Sequence, residues 1–272
     1  MYDLAVNISY QITLMSSKKR QSQIYEMLRV KKNAKVIELM ERFGVTDMTI
    51  RRDLAQLESI GLIERFHGGA TIVGDLHHES AFSLRLVENY EKKAAIGKKA
   101  LEFITEGMSL FIDGSTTCNE LVKILPTDKR LTVFTNSVEA LIQLRAKRDM
   151  IDIFLIGGEL AKDNNTLDGY IAVETVQKIY VDACFISCGG FSVEGITNTG
   201  VIGTQIKKIV LSNGGKKYLL ADSTKYNRRG LYLLGGWQSI DNLITDNHIG
   251  REAIAELSEI GVNVTVASNL FR

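Results

Sequence analysis

Between residues 113 and 117, Asp113, Gly114, Ser115, Thr116 and Thr117 crowd one carboxylate, one glycine and three hydroxyls into five positions. Four other stretches share this character. They are Thr135-Asn136-Ser137; Gly157-Gly158-Glu159-Leu160; Cys188-Gly189-Gly190 with the nearby Gly195-Ile196-Thr197; and Asp222-Ser223-Thr224-Lys225. Small residues let a ligand approach the backbone, and successive N–H groups at a helix start favour an anion. Lys225 adds a counter-charge. Together they suit a small, hydroxylated, phosphorylated ligand. Turn formation accounts for any one such loop. Five at the same edge of a sheet favour a binding site. A second constellation is the adjacent pair Arg51 and Arg52, set in a run whose apolar residues are spaced like a helix.

The elements that must carry the first constellation read as follows. From residue 108, short apolar runs (SLFID, LTVFT, IDIFLIGG, VDACFIS, KKYLLA, DNLIT, VNVTVA) alternate with helical patterns at about 116–125, 137–149, 170–180, 202–212 and 249–260. This alternation predicts an α/β domain with a doubly wound, mainly parallel sheet. Ligands of such sheets bind beyond the carboxyl ends of the strands, where the five stretches fall.

The arginines belong to a smaller arrangement. KKRQSQIYEMLRV places Ile24, Met27 and Leu28 on one helical face, and AKVIELMERFG places Val36, Leu39, Met40 and Phe43 on another. Gly44 can end the second helix, and Thr46 or Asp47 can cap the third. So tight a connection makes a helix-turn-helix corner. On the third helix Ile50, Leu54 and Leu57 form the core face, and Arg52 lies roughly 200° from Ile50. Met48 shares that outer face, while Thr49 and Arg51 lie on its flanks. Arg can bond a guanine edge, and Thr can meet phosphate or a thymine methyl. The alternative is a solvated face with Arg52 paired to Gln56 or Glu58. LIERF, HGG and ATIV then read as a two-stranded hairpin, which makes the whole a winged helix. Arg65 and His67 fall on the wing, where basic groups meet phosphate or the minor groove.

Composition agrees with two globular domains. The 272 residues are 45% apolar and 24% charged, with no apolar run long enough for a membrane span. Residues 16–74 hold 11 Lys/Arg against 7 Asp/Glu, 11 − 7 = +4, while residues 75–272 hold 22 against 24, 22 − 24 = −2. Three cysteines suit free thiols in a reducing cytosol. No ligand set completes a metal site around them, and no cofactor is expected. Residues 1–15 lack the Lys or Arg of a secretory signal; they are expected to be a disordered leader, or Met15 to be the true start. A winged helix over 16–73, a linker over 74–91 that includes His77 and His78, and a ligand domain over 92–272 complete the expected order.

VTDMTIRRDLAQLESIGLIERFHGGA resembles the N-terminal signature of DeoR-family transcriptional regulators: Thr46, Thr49, Ile50, Arg51, Arg52, Asp53, Leu54, Leu57, Gly61, Leu62, Arg65, His67, Gly68, Gly69 and Ala70 match its pattern. The second half resembles the family's effector domain, related in fold to ribose-5-phosphate isomerase and the coenzyme A transferases. The family's Asp-Ser-Gly-Thr-Thr loop stands here as Asp113 to Thr117 with Gly and Ser exchanged, which alters which residue can take a positive φ. Lys207 with Lys208, Asp222 to Lys225, and Ile244-Thr245-Asp246 also match. An acidic residue often found shortly before Lys207 is missing, so effector specificity does not carry over. Where the isomerases carry an aspartate pair, this chain has Cys188-Gly189-Gly190, which suggests binding without turnover.

The resemblance implies a cytosolic regulator, expected to be a repressor of a sugar-catabolic operon. Its expected partners are double-stranded operator DNA, a phosphorylated sugar effector, and further copies of itself as a homodimer or homotetramer. The effector set would comprise Asp113 to Thr117, Asn136, Gly158, Gly189, Gly190, Thr197, Lys207, Asp222 and Lys225. The alternatives are an isomerase-like enzyme, or a metabolite sensor acting through a protein partner.

Overall fold

The computed structural model describes residues 2–73, 80–161 and 164–268, without the side chains of residues 2–16, 80 and 81. The expected linker histidines, His77 and His78, lie outside the described residues. The chain forms two compact units, Met1–Tyr90 and Glu91–Arg272.

The first unit contains α1 (Tyr2–Lys31), β1 (Asn33–Lys35), α2 (Val36–Phe43), α3 (Asp47–Ser59), β2 (Ile63–Phe66), β3 (Gly69–Ile72) and α4 (Ser80–Val87). Ile24 and Leu28 of α1, Leu39 of α2, and Ile50, Leu54 and Leu57 of α3 are fully buried in one core. Gly44, at φ 62, ends α2 in the left-handed conformation that a side chain disfavours, and its N–H returns to the Met40 carbonyl. Thr46 then caps α3 through its side-chain oxygen.

Three features differ from the sequence expectation. The backbone of residues 2–15 is helical, not an irregular leader; it contains no Gly or Pro to interrupt a helix that continues into the anchored Ile24–Leu28 segment. The wing has three strands in the order β1-β3-β2, because Asn33–Lys35 pairs with Gly69–Thr71 before α2 begins. A Cβ on Gly69 would sit 2.5 Å from the Ala34 carbonyl oxygen, so this close pairing needs glycine there. Finally, part of the expected linker is α4, with Phe82 and Val87 buried and Leu84 packed on the core. The alternation of FSLRLV obscures a helical period.

The second unit comprises α5 (Tyr90–Leu101, its first residue shared with the first unit), β4 (Ser109–Ile112), α6 (Thr116–Ile124), β5 (Leu131–Thr135), α7 (Val138–Leu144), β6 (Ile151–Leu155), β7 (Glu159–Leu160), β8 (Leu167–Asp168), α8 (Tyr170–Val176), β9 (Val181–Ile186), β10 (Gly190–Ser192), β11 (Gly195–Asn198), α9 (Val201–Asn213), β12 (Gly214–Leu220), β13 (Tyr232–Gly235), β14 (Asn242–Asp246), α10 (Arg251–Glu259) and β15 (Val264–Ala267). Its seven-stranded sheet has the order β15-β14-β12-β9-β4-β5-β6, with every pair parallel.

The central strands β4 and β9 bury both faces. Leu110, Ile112 and Phe185 feed one core, while Phe111, Cys184 and Ile186 feed the other. Apolar residues on both faces explain why these strands read as continuous apolar runs. The chain steps from β4 outward to β6, then returns to β9 on the other side of β4. This reversal makes a crevice at the carboxyl ends of β4 and β9, the place where such sheets hold ligands. Two small antiparallel sheets, β7-β8 and β10-β11-β13, occupy stretches expected to be loops.

Candidate functional site

In the first unit α3 presents Met48, Arg51 and Arg52 to solvent. Met48 is 79% exposed. Arg51 is tied to Asp47, one turn earlier. Arg52 has no hydrogen-bond or ion-pair partner among the described residues. Its expected alternative partners are engaged elsewhere: Gln56 with Gln21, and Glu58 with Arg65. The Arg65 Nε donates to Glu58 Oε2 at 2.6 Å and its backbone N–H to Oε1 at 3.1 Å. Arg65 is therefore bound back onto α3 rather than held free at a wing tip. His67 is exposed in the two-residue turn between β2 and β3, where Gly68 takes φ 87. Thr46 and Thr49 bond each other, with their oxygens 3.0 Å apart.

Sequence reasoning missed the anchor of this helix. Asp53, directly after the arginines, is 1% exposed and accepts bonds from Ser17 at 3.0 Å, Gln21 at 3.2 Å and Arg20 of α1. The signal was present: a carboxylate three residues from Ile50 and four before Leu57 sits on the core side of the helix.

In the second unit the crevice between β4 and β9 gathers charge. Asp113, just past β4, is buried and receives the Lys207 ammonium at 2.9 Å, the Ser187 N–H at 2.9 Å and the Ser115 N–H at 2.8 Å. Burial pushes its carboxyl up, but Lys207 and the two backbone donors outweigh that and hold it below the ordinary range. Lys207 also donates to the Ser187 carbonyl at 2.6 Å, and Lys225 donates to the Ser187 hydroxyl at 2.9 Å. Two ammonium groups thus converge on one serine at the switch point, with the buried Asp113 carboxylate against Lys207 and the buried Asp222 carboxylate near Lys225. Ser187 is a residue the sequence reading missed, although it closes the apolar run VDACFIS.

Ser115 caps α6, accepting from the Cys118 N–H at 3.2 Å, and Thr116 and Thr117 form the first turn. The buried Thr117 Oγ1 has no hydrogen-bond partner among the described residues. No residue of 113–117 has a positive φ, so the exchange of Gly and Ser does not act through φ. Gly114 is required by crowding: a Cβ there would lie 2.1 Å from Thr166 Cγ2. Asn136 donates to Asp168 at 3.2 Å, and its buried carbonyl oxygen has no partner among the described residues. Burial raises the Asp168 carboxyl, opposed by Asn136, Lys207 and Thr166. Gly158, at φ 148, packs against the Asp168 carbonyl, where a Cβ would meet oxygen at 2.2 Å.

The other expected residues serve the framework. The Thr197 hydroxyl donates to the Gly190 carbonyl at 3.1 Å and accepts the Gly230 N–H at 2.7 Å. The Gly189 N–H donates to the Thr197 carbonyl. Asp222 is buried and caps the 223–225 turn; burial raises its carboxyl, but Lys225, Thr224 and Lys93 bring it below the ordinary range. Asp246 is equally buried and accepts from the Ser223 N–H at 2.6 Å, beneath Lys92. Burial pushes the Cys188 thiol up to about 11, so it is not a ready nucleophile or base.

These two arrangements agree with the comparisons to known proteins. Residues 20–75 match the DeoR-like helix-turn-helix domain and residues 88–247 the DeoR C terminal sensor domain. An uncharacterised HTH-type transcriptional regulator of Bacillus subtilis, YulB, is 34% identical over 90% of this chain and 95% of its own. The L-fucose operon activator of Escherichia coli is 31% identical over 84% and 94%, and the lactose phosphotransferase system repressor of Lactococcus lactis 29% identical over 90% and 97%. Among solved structures, ribose 5-phosphate isomerase A of Neisseria gonorrhoeae aligns over 50% of this chain and 53% of its own, at 19% identity and TM-score 0.37. The chain belongs to the DeoR family of DNA-binding transcriptional regulators.

Proposed function

We propose that this regulator represses a sugar-catabolic operon, and that a phosphorylated sugar metabolite bound above Ser187 sets whether α3 stays on operator DNA. The observation that carries the reading is the convergence of Lys207 and Lys225 on Ser187 at the switch point of the sheet. Two ammonium groups suit a dianionic phosphate, and the hydroxyls and amides of residues 115–117 lie on the neighbouring strand end. The family relatives that act on L-fucose and lactose systems support a sugar-linked effector.

The site binds without turning over. Isomerisation needs an acid and a base beside the substrate carbonyl. Cys188-Gly189-Gly190 offers neither, and the Asp113 carboxylate is already held by Lys207. On DNA, Arg52 reads a base edge and Arg51 serves the backbone, with Met48, Thr46, Thr49 and the wing residue His67 beside them. One winged helix reads few base pairs, so a homodimer or homotetramer on repeated half-sites follows. Among the described residues no helix is long and apolar enough to cross a membrane, which suits a cytoplasmic protein.

A thermal-shift screen of sugar phosphates, followed by operator binding with each hit, tests the reading. The expected result is a phosphorylated sugar that raises Tm and changes operator affinity. Hits that stabilise the protein yet leave DNA binding unchanged would count against it. Isomer formation from pentose or hexose phosphates at enzymatic rates would overturn the claim of no turnover.

A further inference from the structure

We propose that the second unit holds a second anion site, separate from the Ser187 centre, that takes the phosphate of a small phosphorylated polyol between Arg228 and Arg229. The groove encloses about 400 Å³ between the 192–195 turn and the 227–229 segment. That size lies toward the lower end of the roughly 300–1,000 Å³ of small-molecule sites. Both arginines are exposed, and among the described residues neither guanidinium has an ion-pair or hydrogen-bond partner.

Their backbone is fixed all the same. The Asn227 N–H donates to the Phe191 carbonyl at 2.8 Å, the Arg228 N–H to the Lys225 carbonyl at 3.2 Å, and the Gly230 N–H to the Thr197 hydroxyl at 2.7 Å. Asn227 takes φ 57, a conformation costly for most side chains. Gly190 lies so close that a Cβ there would meet the Arg228 carbonyl oxygen at 2.1 Å. A fixed backbone therefore carries two like charges into the lining of one groove, and among the described residues neither is paired with the Glu194 carboxylate that lines it too. A dianion offsets that repulsion, and guanidinium forks match phosphate geometry.

The rest of the groove selects what hangs from the phosphate. Glu194 lines it and repels a second anion, but accepts hydroxyl hydrogens. The Ser192 hydroxyl, which accepts the Glu194 N–H at 3.2 Å, still has a proton to donate. Val193 and Leu233, 41% and 62% exposed, offer an apolar wall to the C–H face of a polyol. Thr197 also lines the groove, but its hydroxyl is engaged with Gly190 and Gly230, while Lys207 and Lys225 reach Ser187 instead. The inference does not depend on what the Ser187 centre binds.

The test is calorimetric titration of the full-length protein with glycerol 3-phosphate, the probe, alongside inorganic phosphate and glycerol. Wild type, Arg228→Gln/Arg229→Gln and Lys207→Gln are compared, with Tm checked for each. The expected result is a glycerol 3-phosphate binding component that survives Lys207→Gln and weakens at least tenfold in the double variant at unchanged Tm. Equal binding in wild type and the double variant, loss with Lys207→Gln, or no binding to wild type would each overturn the site. Inorganic phosphate binding as tightly as glycerol 3-phosphate would overturn the polyol assignment.

Discussion

Arg51 and Arg52 are adjacent but differ in what already holds them. Arg51 is paired with Asp47, whereas Arg52 is exposed and unpartnered among the described residues, so the fold gains nothing evident from it. Replacing Arg52 with Ala should leave Tm unchanged while costing about 1–3 kcal/mol of discrimination between operator and random DNA. Arg65→Ala breaks the contact with Glu58 and should affect specificity less. Equal losses of Arg52→Ala on operator and random DNA would remove its base-reading role. Asp113 makes a different kind of prediction. Its folded carboxyl lies below its ordinary value of 3.8, so its contribution to stability is full above pH 3.8 and is lost as pH falls through the lower folded value. Asp113→Asn leaves Lys207, whose side chain is only 15% exposed, without its carboxylate. The variant should lose about 3 kcal/mol at neutral pH and show a shallower loss of stability in the acid range. Denaturant melts of both proteins at pH 7 and near pH 3 check this.

At the scale of elements, the loop that starts α6 depends on space rather than on backbone freedom. Gly114 has an ordinary φ, but a Cβ would overlap Thr166 Cγ2. Gly114→Ala should therefore destabilise by about 1–3 kcal/mol, as overpacking does. Thr166→Ser removes the clashing methyl and should recover part of that loss in the double variant. Additive effects of the two substitutions in thermal melts would contradict the contact. The same loop shows where sequence was informative. The parallel strands were legible because the central ones are buried on both faces and read as apolar runs, and even the half-exposed edge strands Ile151–Leu155 and Val264–Ala267 are rich in apolar residues; the helices between them followed. The small sheets were not legible: Glu159–Leu160, Leu167–Asp168 and Gly190–Ser192 are too short to show a period. The strand at Asn33–Lys35 is equally short, and its pairing depends on glycine at position 69 rather than on its own residues. The charged centre was half legible. Asp113, Lys207 and Lys225 stood out by type or by resemblance, but a sequence does not show that Lys207 and Lys225 meet at Ser187. Nor did the hairpin reveal that Glu58, on the preceding helix, would claim Arg65.

For the molecule as a whole, a ligand regulates only if it binds the DNA-competent and DNA-incompetent states unequally, and DNA must then shift ligand affinity by the same factor. The two proposed sites lie in separate units: the DNA-reading face of α3 in the first, the Ser187 centre in the second. Lys207→Gln removes an ammonium from the centre without touching α3; it strands the buried Asp113 carboxylate and should lower Tm, so operator binding is compared at a temperature where both proteins are folded. The amide keeps a donor for the Ser187 carbonyl but loses the charge that an anionic effector would meet and that Asp113 now holds. It should therefore bind operator with wild-type affinity and a wild-type salt slope, since that slope counts phosphate contacts made by the DNA-binding surface. Its response to the sugar phosphate found by the thermal-shift screen should fall at least tenfold, and the reciprocal effect of operator on ligand affinity should fall with it. Operator titrations across a salt series, with and without ligand, separate the outcomes. A Lys207→Gln protein that loses operator affinity at every salt concentration without ligand would place Lys207 in the DNA-competent state itself. One that responds to ligand as wild type does would remove Lys207 from effector binding.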